Sequence, residues 1–227
     1  MPSYKYSDTF NVWPYPVKKI DHDAPVEKWE CRKNNIDHLS KQLVDRNLWA
    51  QTSFTKEDVE LLKDILIEVF SRRYPHTFSK VVNILWHQDT GFARSAFIEA
   101  AHQGQQNLLK CSLKVAQTHN CISDMIASSL VGNQFSTALW LIEQSGQKFK
   151  MSQANLQDLT KKSQAQREKI FTICIQYGDV DHIFHKIESI RYDGVKSILR
   201  NDWEAAKRMY IQSQREKPLT VRTRRKI

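Results

Sequence analysis

The sequence predicts an all-α fold of irregularly stacked helix hairpins with an extended N-terminal arm. Three observations carry this. From Ile36 to about Tyr210, apolar residues recur three and four positions apart, the period of a helix with one buried face. The 227 residues include only 6 Gly and 6 Pro, too few for a fold of many short strands, which needs turn residues every 8–12 positions or so. Small-residue segments ending on Gly or Asn are followed by longer apolar residues, as a helix folding back on a second helix would leave them.

Residues 1–35 form the arm. They hold Pro2, Pro14, Pro16 and Pro25, which forbid a regular helix, and the aromatics Tyr4, Tyr6, Phe10, Trp13, Tyr15 and Trp29. The arm is read as extended chain docking its aromatics on the body, with a partner-binding peptide as the alternative. Residues 36–91 are the N-terminal helical part. Ile36, Leu39, Leu43 and Val44 mark a short amphipathic helix. Thr55-Lys-Glu-Asp58 is an N-cap signal before Val59, Leu62, Ile65, Leu66 and Val69. The acids Asp58, Glu60, Asp64 and Glu68 are assigned to the solvent side of that helix. Pro75 separates it from a helix with Phe78, Val81, Val82, Leu85 and Trp86 on one face, and Gly91 closes the section.

Residues 92–214 are the hairpin region. Ala96–Gly104 reads as a helix and a Gly-centred turn, followed by a helix with Leu108, Leu109, Ser112 and Leu113 inward. Ile126–Gly132 leads into Phe135, Ala138, Leu139, Leu141 and Ile142 on the same plan, and Ile170–Gly178 into Asp179–Ile187. A fourth hairpin is predicted at Gly194–Asn201 followed by Trp203, Ala206, Met209 and Tyr210, with Asn201 as the left-handed turn residue. Trp86, Trp140 and Trp203 are assigned to the core. The stretch 145–167 is polar and reads as an inserted, mobile loop with a short helix around Ala154–Lys161, and 215–227 is a basic tail.

In Ala100-Ala-His-Gln-Gly104 with Leu108-Leu109, and in Gly178 with Ile183-Phe184 and Ile187, the units resemble degenerate ankyrin repeats. No copy carries the T-P-L-H box, and the turn glycines are unevenly spaced. The resemblance implies an ankyrin-like α-solenoid acting as an adaptor, an inhibitor or a host-factor-manipulating protein of a pathogen.

The formal net charge of +9 is concentrated at the C-terminus, where residues 215–227 carry six cations and one anion. Arg222, Arg224, Arg225 and Lys226 are the candidates for nucleic-acid contact or nuclear import. The chain has no P-loop, dinucleotide fingerprint, H-E-x-x-H or G-x-S-x-G motif, so no catalytic residue and no cofactor are assigned. His182 and His185 share a helix face with Cys174 and Asp181 in reach, but a pair does not complete a zinc site, so no metal is assigned. His119 and Cys121 lack an orienting third group, and Cys121 reads as the start of a helix. The four cysteines have no C-x-x-C spacing and are read as reduced thiols of a cytoplasmic protein, and no segment is apolar for the length a membrane span needs.

The expected function is non-enzymatic binding of another protein through the hairpin turns and the insertion. The candidate contacts are Gln103, Gln105, Asn133, Gln134 and Asp179 at the turns, Lys161, Lys162 and Arg167 in the insertion, and the aromatics Trp29 and Trp49. A nucleic-acid-binding helical protein is the second reading, and an enzyme on a helical scaffold the third.

Overall fold

The structure, a computed structural model, describes residues 53–216. The arm 1–35, the helix read at Ile36–Val44, Trp29, Trp49 and the tail residues Arg222, Arg224, Arg225 and Lys226 lie outside these residues. Among the described residues there are ten helices and no strand, only a parallel bridge between Phe149 and Gly178. They fall into two compact units that divide between Cys121 and Ile122.

The first unit contains α1 (Lys56–Arg72), α2 (Pro75–Gln88), α3 (Thr90–His102) and α4 (Gln106–Thr118). Thr55 caps α1 in a reciprocal box with Asp58: the Asp58 N–H donates to the Thr55 hydroxyl, and the Thr55 N–H donates to the carboxylate. Asp58 is therefore buried rather than part of the solvent face assigned to it. Pro75 opens α2, where its missing N–H costs nothing. Phe70, Phe78, Phe97 and Trp86 form a chain of ring contacts at 6.0–6.4 Å along the core. Ala93, Ala96, Ala100 and Ala101 are fully buried, and their small size permits the close packing of α3 on its neighbours. Gly91 does not close the section. Asp89 ends α2 and caps α3 in one step, accepting the Phe92 N–H, so Gly91 sits inside the first turn of α3.

The second unit contains α5 (Ile122–Val131), α6 (Phe135–Ser145), α7 (Gln153–Leu159), α8 (Gln164–Tyr177), α9 (Val180–Glu188) and α10 (Asp193–Glu216). Met125 to Val131 are all buried, so α5 is a core helix on every side. Its Ser129 hydroxyl donates to the Met125 carbonyl one turn back, which pairs the buried O–H within the helix. Phe171 and Trp203 meet edge to face at 5.4 Å, joining α8 to α10.

Several expectations are corrected in this unit. The fourth hairpin is absent, because α10 runs unbroken through Asn201 for 24 residues. Its buried stripe is Leu199, Asp202, Trp203 and Ala206, which leaves Asn201 and Met209 exposed. Continuous burial along α8 outweighs the local turn preference of one Asn. The 145–167 stretch is not a solvated loop. Phe149, Met151, Leu156 and Leu159 are buried, the Met151 and Cys174 sulfurs lie 3.4 Å apart, and the Lys150 N–H donates to the Ser123 hydroxyl. Its short helix is α7, close to the predicted span. Leu139 is exposed and Trp140 half-buried, not core as assigned. The described cysteines Cys111, Cys121 and Cys174 form no disulfide with one another, and Cys111 is exposed.

Candidate functional site

Four turns, those ending α1, α3, α4 and α5, share one hydrogen-bonding plan, which the α8–α9 turn at Gly178 does not follow. At each, a residue in the left-handed region donates three residues back, and its successor donates five residues back. The pairs are Arg73 to Phe70 with Tyr74 to Val69, and Gly104 to Ala101 with Gln105 to Ala100. Asn120 to Gln117 with Cys121 to Ala116, and Asn133 to Leu130 with Gln134 to Ser129, repeat it. Only one of these left-handed residues, Gly104, is a glycine; Arg73, Asn120 and Asn133 have φ of 60°, 57° and 59°. The turns that close α1–α2, α3–α4 and α5–α6 thus fall at Arg73, Gly104 and Asn133, a more even spacing than the glycines alone suggest. In the third turn the special residue is Asn133 and not its neighbour Gly132.

At the α3–α4 turn the side chains form a relay. The Gln105 amide donates to the Gln103 oxygen at 2.9 Å, and the Gln103 amide donates to the buried Glu99 carboxylate at 2.6 Å. Both donations run inward, toward a carboxylate. The Gln105 Oε1 is buried and has no donor. Gln105 begins α4 but its side chain makes no cap bond, unlike the Ser, Thr and Asp caps of α1, α3, α7, α8 and α9. Sequence reading missed Glu99; its spacing four residues before Gln103 on a helix was the available signal.

The α5–α6 turn repeats part of this chemistry. Gln134 begins α6 without a side-chain cap bond, and the Asn133 Oδ1 is buried without a donor. A buried acceptor left unpaired costs about 1–3 kcal/mol, so each of these oxygens gains when its side chain turns outward to a donor. Asp179, by contrast, is committed within the fold: its carboxylate accepts the His182 N–H to cap α9, and its own N–H donates to the Phe149 carbonyl.

The insertion candidates separate. Lys161 is exposed and pairs with Asp158 at 2.6 Å. Lys162 is half-buried, and burial draws its ammonium below the ordinary lysine value. Arg167 faces inward, donating to Asp202 at 2.5 Å and to the Lys162 carbonyl, so its guanidinium is spent on α10 rather than offered to a partner.

Other polar clusters hold the fold together. Lys63 bonds Glu60 and Asp89, each at 2.9 Å, and these two carboxylates hold its ammonium above the ordinary lysine range. The same contact, with the Phe92 N–H, holds Asp89 below the usual carboxylate range. Among the described residues no three His, Cys, Asp or Glu side chains converge as a metal cage, and no helix is long and apolar enough to cross a membrane. No family model matches the chain, and no curated protein or solved structure matches it either.

Proposed function

We propose that this chain is a non-enzymatic protein-interaction module with a docking turn in each unit, α3–α4 in the first and α5–α6 in the second, each taking a partner segment by itself. The observation that carries the reading is the pair of buried, donorless amide oxygens at Gln105 and Asn133. Interior polar groups are nearly always paired, so acceptors left open at a turn mark where an incoming donor is rewarded. The matching partner segment offers N–H groups, from backbone, Asn or Lys/Arg side chains, and the Glu99 end of the relay favours a positive charge. The likeness of the small-residue helices to degenerate ankyrin repeats agrees with this reading, since arrays of that kind act as adaptors and inhibitors.

The test is quantitative co-purification of the intact chain and its variants with mass spectrometry. Asn133→Gly keeps the left-handed turn while removing the amide, and Gln105→Ala removes the other acceptor. A partner retained by the intact chain and by Lys161→Ala, but depleted at least about fivefold by either turn variant, supports the reading; 1 kcal/mol is about fivefold in affinity. Equal recovery with all variants overturns it.

A further inference from the structure

We propose that His87 and His119 together bind a borderline divalent metal ion, with zinc as the type case. His87 lies in the last turn of α2 and His119 is the residue that closes α4, so two helix C-terminal ends bring the imidazoles together. Their ring centres are 5.8 Å apart with the planes at 76°. A histidine nitrogen holds zinc at about 2.0–2.1 Å, which puts the ion about 3 Å from the ring centre, so rings sharing one ion have centres within about 6.5 Å. The observed separation lies inside that limit.

Two further features suit a cation here. The His119 ring stacks on Trp86 at 4.4 Å and 18°, which fixes its orientation as a ligand needs. Helix C-termini carry partial negative charge from their last carbonyls, favouring a cation beside them. His87 is exposed and free to turn its ring by a change of rotamer. Two protein ligands leave the other coordination positions to water, so the ion exchanges and is not a structural staple.

The test is calorimetric titration of the full chain with zinc chloride at pH 7.5. His182→Gln and His185→Gln are built into the background to remove the other close histidine pair. One zinc is expected to depend on this pair, and His87→Gln and His119→Gln should each weaken it about tenfold or more, the loss of roughly 1.4 kcal/mol. His87→Gln changes a surface side chain and keeps the fold, which circular dichroism checks. No zinc uptake, uptake unchanged by both substitutions, or loss with only one of them overturns the shared site.

Discussion

Arg167 and Asp202 form an ion pair with side chains 13% and 7% exposed, joining the first turn of α8 to the middle of α10 at 2.5 Å. The two residues are far apart in sequence, where Arg167 reads as a surface contact and Asp202 does not stand out. The pair shows how a residue that looks like a surface cation becomes an internal tie. The Lys162 carbonyl accepts a second guanidinium hydrogen, so the charge is well satisfied on both sides.

Breaking that pair strands a buried charge. Asp202→Ala is expected to destabilise the second unit by about 3–5 kcal/mol, because Arg167 would remain without its carboxylate. Replacing both with Met and Leu should recover much of the loss. Urea unfolding of the single and double variants measures this; a loss under 1 kcal/mol for Asp202→Ala would show the pair to be solvated.

Lys63 and Asp89 predict a pH dependence in the first unit. Asp89 is held below its ordinary value, so its contribution is present above about pH 4 and is lost as pH falls through the folded value. Lys63 is held above its ordinary value, so its contribution is complete below about pH 10 and is lost only as pH rises further. Asp89→Asn should cost on the order of 1 kcal/mol at pH 7, part cap and part screened ion pair. That difference should shrink below pH 4, which denaturation of both proteins across pH 3–7 would reveal.

Asn201 offers a test by sign. In the middle of α10 and exposed, it should be replaced by Ala with a gain of up to about 0.7 kcal/mol, since Ala is the better helix former. Were Asn201 a left-handed turn residue, the same change would cost about 1 kcal/mol or more. Thermal unfolding distinguishes the two directions.

Gly178 is required for space rather than for conformation. Its φ of −86° and ψ of 173° are open to any residue, yet a Cβ would lie 2.6 Å from the Cys174 carbonyl oxygen and 2.8 Å from Ile183 Cδ1. Gly178→Ala should therefore destabilise by about 1–3 kcal/mol, as overpacking does. Arg73→Gly, at a position with φ of 60°, should instead stabilise by about 1 kcal/mol. Opposite signs in one denaturation series are the expected result.

Phe149 predicts the fate of the 145–167 stretch. Fully buried and bridging to Gly178, it should cost about 3–5 kcal/mol as Phe149→Ala. Deleting 145–167 should unfold the second unit, seen as lost helical circular dichroism. Partner contacts in this stretch must therefore be probed by single surface changes such as Lys161→Ala.

The sequence by itself determined the helices of the described part, because a 3.6-residue apolar period and a cap such as Thr55 act within one or two turns of chain. Leu62, Ile65, Leu66 and Val69, then Phe78, Val81, Val82, Leu85 and Trp86, and Leu108, Leu109 and Ser112 are buried as their spacing predicts. It also indicated Gln105 and Asn133 as turn residues, since a helix must end where small residues give way to Gly or Asn. Tertiary structure decided what spacing does not encode. Burial against α8 carries α10 straight through Asn201, a polar stretch hides Phe149 and Met151, and Arg167 turns inward to Asp202. The donorless oxygens of Gln105 and Asn133 and the meeting of His87 with His119 belong to the same class. Each depends on which groups lie across from a side chain, and that is fixed only when helices distant in sequence are packed together.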